Sequence, residues 1–215
     1  MLGAAVMLTA CAPVQMGAAA IVGNQRITQS TLAANVSDLQ AAVAKVPAGQ
    51  VQLPPSEMGK RVLGWLVQFD VMNRAAEQAG ISVTPSQVQH GLDVIKMTAQ
   101  QYAQQARVSD PMVILLSNGI APKMLNQLGR YQAQELELVK RANGGKLPTT
   151  QAENGTVTAA LNKSRCQAAK ALNISINPQY GRMDYQQFTI VAGPDVLSKA
   201  VGASPAPATG STPSC

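Results

Sequence analysis

The most reactive side chains of this sequence are three cysteines, Cys11, Cys166 and Cys215. A thiol can be alkylated or oxidised to a disulfide, so each of them is a candidate for covalent modification. The only histidine, His90, comes two residues after the apolar Val88, which turns it away from the apolar face of a helix and towards solvent. A lone histidine forms neither a catalytic triad nor a metal site, and no glycine-rich phosphate loop is present. The residues therefore predict no catalytic residue, no metal and no cofactor.

Cys11 follows an apolar run, Leu2 to Ala10, that is too short for a lasting transmembrane helix of about 20 residues. The residues Leu8-Thr9-Ala10-Cys11 resemble the bacterial lipobox, in which a signal peptidase cleaves before the cysteine. We expect residues 1–10 to be a signal segment, Cys11 to carry the lipid, and residues 11–17 to be a tether. This predicts a protein anchored on the outer face of the cytoplasmic membrane. The alternative is a buried N-terminal helix with an ordinary free cysteine at position 11.

Cys166 and Cys215 are the two cysteines left if Cys11 carries a lipid. Outside the cytoplasm the environment is oxidising, so the two thiols can form a disulfide. Such a bridge would hold the C-terminal end of the chain against a helix. The alternative is two unpaired thiols.

The spacing of apolar residues predicts mostly helices. With 46% hydrophobic but only 3% aromatic residues, the composition suits helices better than an all-β core. Apolar residues recur at intervals of three and four, which marks one face of a helix. The pattern predicts five main helices and a short one: after the N-cap Thr28, from Ser56 to Ala79, after Thr84, over Met112 to Leu116, from Pro122 to Arg141, and from Thr156 to Leu172.

Short β-prone segments lie at both ends of the helical region. Ile21 and Val22 come before the first helix, Ile174 and Ile176 come after the last, and residues 185–191 form a further strand candidate. We expect the first two pairs to meet in a small sheet. The fold class is thus mainly α (α+β), with one domain over residues 18–192. Residues 193–215 are rich in Pro, Ala, Ser and Thr and are expected to be a disordered tail.

Three segments resemble the SurA-type N-terminal chaperone domain. Residues 20–28, AIVGNQRIT, are similar to its opening strand and turn, although the usual Asn-Gly pair is reversed here. Residues 79–85, AGISVTP, resemble its junction between the second and third helices, and residues 174–181, ISINPQYG, resemble the closing strand of lipid-anchored actinobacterial members. The resemblance implies a helical body with a hydrophobic groove for unfolded segments. Many relatives also carry a parvulin-type prolyl isomerase domain with paired histidines, and we expect that domain to be absent here.

Three apolar residues outside the predicted helix stripes are candidates for lining a client groove, namely Met97, Val94 and Val113. The leading interpretation is that the protein is a lipid-anchored holdase, which binds unfolded or exported polypeptides. We expect it to have no enzymatic activity. The alternative is a structural or adaptor lipoprotein with one dedicated envelope partner or peptide. The net charge of +6 comes from scattered Lys and Arg residues rather than a basic stripe, which argues against nucleic-acid binding.

Overall fold

The computed structural model describes residues 17–185 and 188–192. In this part of the chain six helices account for most residues, as the apolar periodicity predicts. Their bounds are α1 Gln29–Val43, α2 Pro55–Gln78, α3 Pro85–Ala106, α4 Met112–Ser117, α5 Leu125–Ala142 and α6 Gln151–Leu172. None of them is long and apolar enough to cross a membrane.

Side-chain caps fix where three of these helices begin. The Thr28 hydroxyl accepts a hydrogen bond from the Thr31 amide at 3.0 Å, which confirms the predicted N-cap of α1. At α3, which begins after Thr84 as predicted, Thr84 and Gln87 form a capping box. The last helix, α6, begins five residues earlier than the predicted start at Thr156.

A second capping box explains this earlier start of α6. The Thr150 hydroxyl accepts from the Glu153 amide, and the Glu153 carboxylate accepts from the backbone of Thr149 and Thr150. These hydrogen bonds favour the ionised form and lower the pKa of Glu153 below its usual value. The sequence pattern Thr-x-x-Glu at this position therefore marks the real beginning of the helix.

The two ends of the domain meet in a three-stranded antiparallel sheet, as predicted. Its strands are β1 Ala18–Val22, β2 Gln25–Thr28 and β3 Ser175–Ile176, in the order β2-β1-β3. The register differs in detail from the expected pairing, because Ile176 lies opposite Ala20 and Ser175 lies opposite Ile21. The Asn177 side chain extends the junction by donating to the Ala18 carbonyl at 2.9 Å.

The strand predicted over residues 185–191 is shorter than expected, and it pairs with a preceding strand to form a hairpin. Strands β4 Arg182–Asp184 and β5 Thr189–Val191 pair antiparallel, so Tyr185 belongs to the turn between them. The inner residues Met183 and Ile190 are buried, and the Gln68 side chain of α2 donates to the Phe188 carbonyl at 2.9 Å. The alternating pattern marked an extended segment but did not show where the chain reverses.

Helix α2 runs through the centre of the domain and packs against α1, α5 and α6. A second close packing joins α3 to α5, where Gly91 and Gly129 face each other. A Cβ atom on Gly91 would collide with the Gly129 carbonyl oxygen, and one on Gly129 would lie 2.8 Å from the Val88 carbonyl oxygen. The two glycines thus let the backbones of α3 and α5 touch, and this contact fixes the walls of the site described next.

Candidate functional site

An apolar groove of about 390 Å³ opens between helices α2, α3, α4 and α5, with one residue from α6 at its end. We call it the aromatic groove. It is lined by Trp65, Ile95, Thr98, Ala99, Tyr102, Ile114, Leu115, Asn118, Ile120, Leu128, Tyr131, Gln132, Glu135 and Arg165.

Two packed aromatic rings, Trp65 and Tyr131, form the inner wall of the aromatic groove, and Phe69 supports them from behind. The Trp65 and Tyr131 ring centroids are 6.0 Å apart with nearly perpendicular planes, and Phe69 lies behind them at 5.8 Å from Trp65 and 6.0 Å from Tyr131. Edge-to-face pairs of this kind are favourable beyond the area they bury. The indole N–H of Trp65 donates to the Asn118 carbonyl at 2.9 Å, which holds the ring in place. This wall is therefore preformed.

The polar end of the aromatic groove is built around Arg165. Its guanidinium donates to the Tyr131 hydroxyl and, at 2.9 Å, to the Glu135 carboxylate, while its centre lies 5.4 Å from the Tyr131 ring centroid. Burial raises the pKa of Tyr131 to about 12, with Glu135 also raising it and Arg165 lowering it. The phenol consequently stays neutral and keeps its proton as a hydrogen-bond donor. Because Arg165 and Glu135 form an ion pair, their two charges neutralise each other at this end of the groove.

The outer wall of the aromatic groove is exposed. Tyr102, near the C-terminal end of α3, has 56% of its surface accessible, and Ile95, Ile114 and Leu115 are half-buried. Together with these three half-buried side chains, Tyr102 forms a continuous apolar surface along the open side of the aromatic groove. The aromatic groove thus has an aromatic inner wall, an exposed apolar outer wall, and a few polar groups at its rim.

No family model, no curated protein and no solved structure matches this chain.

The three residues that the sequence analysis proposed for a groove do not line it. Met97 is 61% exposed and lies on α3 but outside the aromatic groove, and Val94 is half-buried outside it. Val113 is only 1% exposed and belongs to the core, so it cannot line an open surface.

The α3 residues that do form the outer wall belong to the apolar stripe of this helix. Ile95, Ala99 and Tyr102 continue the apolar stripe of α3 that begins with Val88. Val88 is only 7% exposed and lies against α5, whereas Tyr102, near the end of the same stripe, is 56% exposed. A continuous stripe whose end has no covering helix is the signal that could have found the groove.

The cysteine and histidine predictions have different outcomes. Cys166 is buried and disulfide-bonded, while the chain's other cysteines, Cys11 and Cys215, lie outside the described residues.

His90 is exposed, as expected from its position on α3. Within residues 17–185 and 188–192, no group of three His, Cys, Asp or Glu side chains is arranged to hold a metal ion. The signal segment 1–10, most of the tether and the tail 193–215 also lie outside the described residues.

Proposed function

We propose that this chain is a lipid-anchored, extracytoplasmic holdase of the SurA type, which binds apolar segments of unfolded or exported polypeptides in the aromatic groove. The observation that carries the proposal is the combination of a preformed ring wall, Trp65 and Tyr131, with the exposed Tyr102 on the opposite side. Such a cleft accepts large apolar side chains of many shapes, because dispersion and apolar burial have no directional requirement.

The polar rim of the aromatic groove suits an extended peptide backbone. Thr98 and Gln132 lie along its rim, and the Glu135–Arg165 pair closes one end. An unfolded segment brings unpaired amide and carbonyl groups, which lose water when the segment binds and need partners. Side-chain hydroxyl and amide groups adapt to different backbone positions. The groove therefore fits a polypeptide of loosely defined sequence better than a single rigid small molecule.

The proposed activity involves no prolyl isomerisation. Catalysing that reaction requires a site that stabilises the twisted peptide bond against a barrier of about 18–20 kcal/mol. The aromatic groove offers an apolar wall and a neutralised ion pair, and it lacks a histidine, since His90 lies elsewhere on α3. Binding without catalysis is the chemistry these residues support.

We expect the purified mature chain to suppress the aggregation of an unfolded client at stoichiometric amounts and to leave proline-limited refolding unchanged at catalytic amounts. In the same light-scattering assay, Tyr102→Ser should weaken client binding about tenfold, since an aromatic contact is worth roughly 1–2 kcal/mol. Met97→Ser is the matched control, because Met97 is equally exposed on the same helix but lies outside the aromatic groove. It should behave like the wild type.

Three results would contradict this proposal. Faster refolding at catalytic amounts would show isomerase activity. Equal loss of client binding in Met97→Ser and Tyr102→Ser would move the binding surface away from the aromatic groove. Unchanged scattering together with recovery of one stoichiometric partner from envelope extracts would instead favour the dedicated adaptor.

A further inference from the structure

Cys166 lies beside the polar end of the aromatic groove. It directly follows Arg165, the α6 residue that closes this end, so the two Cα atoms are about 3.8 Å apart. Cys166 is disulfide-bonded, and the other cysteines of the chain are Cys11 and Cys215. One of these two cysteines, and with it a stretch of chain outside the described residues, is thus held covalently next to the groove lining.

The chain also leaves the described residues near Arg165. Phe188, which directly precedes β5, lines a small cavity together with Tyr131 and Arg165. Strand β5 packs against α2, and Ala192 comes four residues after Phe188, so the two Cα atoms are at most about 14 Å apart. If Cys215 is the disulfide partner, residues 193–214 are therefore anchored at both ends within reach of the aromatic groove.

The aromatic groove is short compared with residues 193–214. It follows α3 from Ile95 to Tyr102, seven residues that rise about 10 Å. A few extended residues are enough to cross it, since each spans up to about 3.6 Å. Residues 205–214 directly precede Cys215, so they are the part that the disulfide holds nearest to the groove.

The composition of residues 205–214 matches the inner wall of the aromatic groove. The segment has three prolines among small residues and carries no charge. Proline-rich segments adopt an extended helix in advance and lose little entropy on binding, and aromatic-lined grooves are the sites that bind them. The groove supplies the rings of Trp65 and Tyr131, and the charges of Glu135 and Arg165 neutralise each other. An uncharged, proline-rich occupant therefore fits this wall.

We infer that residues 205–214 lie across the inner wall of the aromatic groove, against Trp65 and Tyr131, and compete there with clients. This rests on the proposed function, in which the groove binds polypeptides and the lipid on Cys11 leaves Cys215 as the disulfide partner. Tethering at both ends gives the segment an effective concentration on the order of millimolar, so even a weak contact is populated. Its side chains are small, so a client with larger apolar side chains displaces it and still shifts the emission of Trp65.

Acrylamide quenching of Trp65 tests this contact without any client. Trp65 is the chain's only tryptophan, so its quenching reports on what covers the inner wall. We expect stronger quenching and red-shifted emission in the double variant Pro205→Ser, Pro207→Ser than in the mature wild type. Pro194→Ser is the matched control, because it removes a proline outside residues 205–214. It should be quenched like the wild type.

Client binding should tighten when the segment is released. Cys215→Ser detaches one end of residues 193–214 and lowers their effective concentration, so clients should bind about fivefold more tightly. The double variant Pro205→Ser, Pro207→Ser keeps the disulfide and should give a similar increase, which separates loss of the contact from a folding defect of Cys215→Ser. Thermal unfolding followed by circular dichroism shows whether each variant is folded.

Three results would overturn the inference. One is equal quenching of Trp65 in the wild type, Cys215→Ser and the double proline variant, whatever the clients do. Another is stronger quenching in Leu197→Ser than in the double variant, since a different stretch would then cover the groove. The third is a disulfide-linked peptide that joins Cys11 to Cys166.

The two measurements also separate this inference from the holdase proposal. Stronger quenching in the double proline variant with no client binding in any variant would support the contact and contradict the holdase. Tighter client binding with unchanged quenching would support the holdase and overturn the contact.

Discussion

Replacing Gly91 by alanine is expected to destabilise the fold by about 3 kcal/mol, at the upper end of the cost of overpacking a core. The new methyl group would overlap the Gly129 carbonyl oxygen and lie 3.1 Å from the Ala133 amide nitrogen. Both of these atoms belong to the α5 backbone and cannot rotate away as a side chain could. Alanine's better helix propensity, worth about 1 kcal/mol, offsets only part of this cost.

Gly155→Ala is the matched control for the glycine experiment. Gly155 is an exposed position within α6, and a Cβ atom there would meet nothing within 4 Å. The same substitution should then increase stability by about 1 kcal/mol. Urea denaturation followed by circular dichroism measures both changes. Equal midpoints for the two variants would mean that α3 and α5 do not touch at Gly91.

Changing Cys11→Ala is expected to release the protein from the membrane fraction completely. The lipobox-like residues Leu8-Thr9-Ala10 precede Cys11, and the acyl chains on a lipidated cysteine each contribute about 0.8 kcal/mol per buried methylene. Without them, the described helices offer no membrane-spanning segment to replace the anchor. Fractionation and mass spectrometry of the mature N-terminus measure the effect. Membrane retention of Cys11→Ala, with no lipid mass on the wild type, would reject the anchor.

The disulfide of Cys166 gives this anchor an independent check. A Cys11 sulfur that carries a lipid through a thioether cannot also form a disulfide, so the proposed anchor requires Cys166 to pair with Cys215. Closing a loop of about 50 residues would contribute up to about 4 kcal/mol. Non-reducing peptide mapping should recover a peptide linking positions 166 and 215. A peptide linking Cys11 to Cys166 would rule out lipidation in that molecule.

Local signals predicted much of the fold. The capping pattern at Thr84 and the N-cap at Thr28 placed the starts of α3 and α1, since caps depend only on neighbouring residues. The pairing of the chain ends was also predicted, from short β-prone runs around Ile21 and Ile176. The hairpin at residues 182–191 was missed because its reversal depends on packing against α2, which no local pattern encodes.

The candidate sites were harder to predict because they depend on which helix covers which face. Periodicity shows that Tyr102 shares a stripe with Val88, but not that Val88 is buried and Tyr102 is exposed. Met97 was favoured because it breaks the stripe, although a residue off the stripe simply faces solvent.

The fluorescence of Trp65 would show whether unfolded chains bind in the aromatic groove. Trp65 is the only tryptophan of the chain and forms part of the aromatic groove wall, so its emission reports on what fills the groove. Titrating the mature protein with a permanently unfolded, tryptophan-free polypeptide should give a saturable blue shift, as water leaves the half-buried indole. Tyr102→Ser should move that titration to about tenfold higher concentration, for a lost aromatic contact. Binding of the same polypeptide, detected by another method, with no change in Trp65 emission would show that the aromatic groove is not where unfolded chains bind.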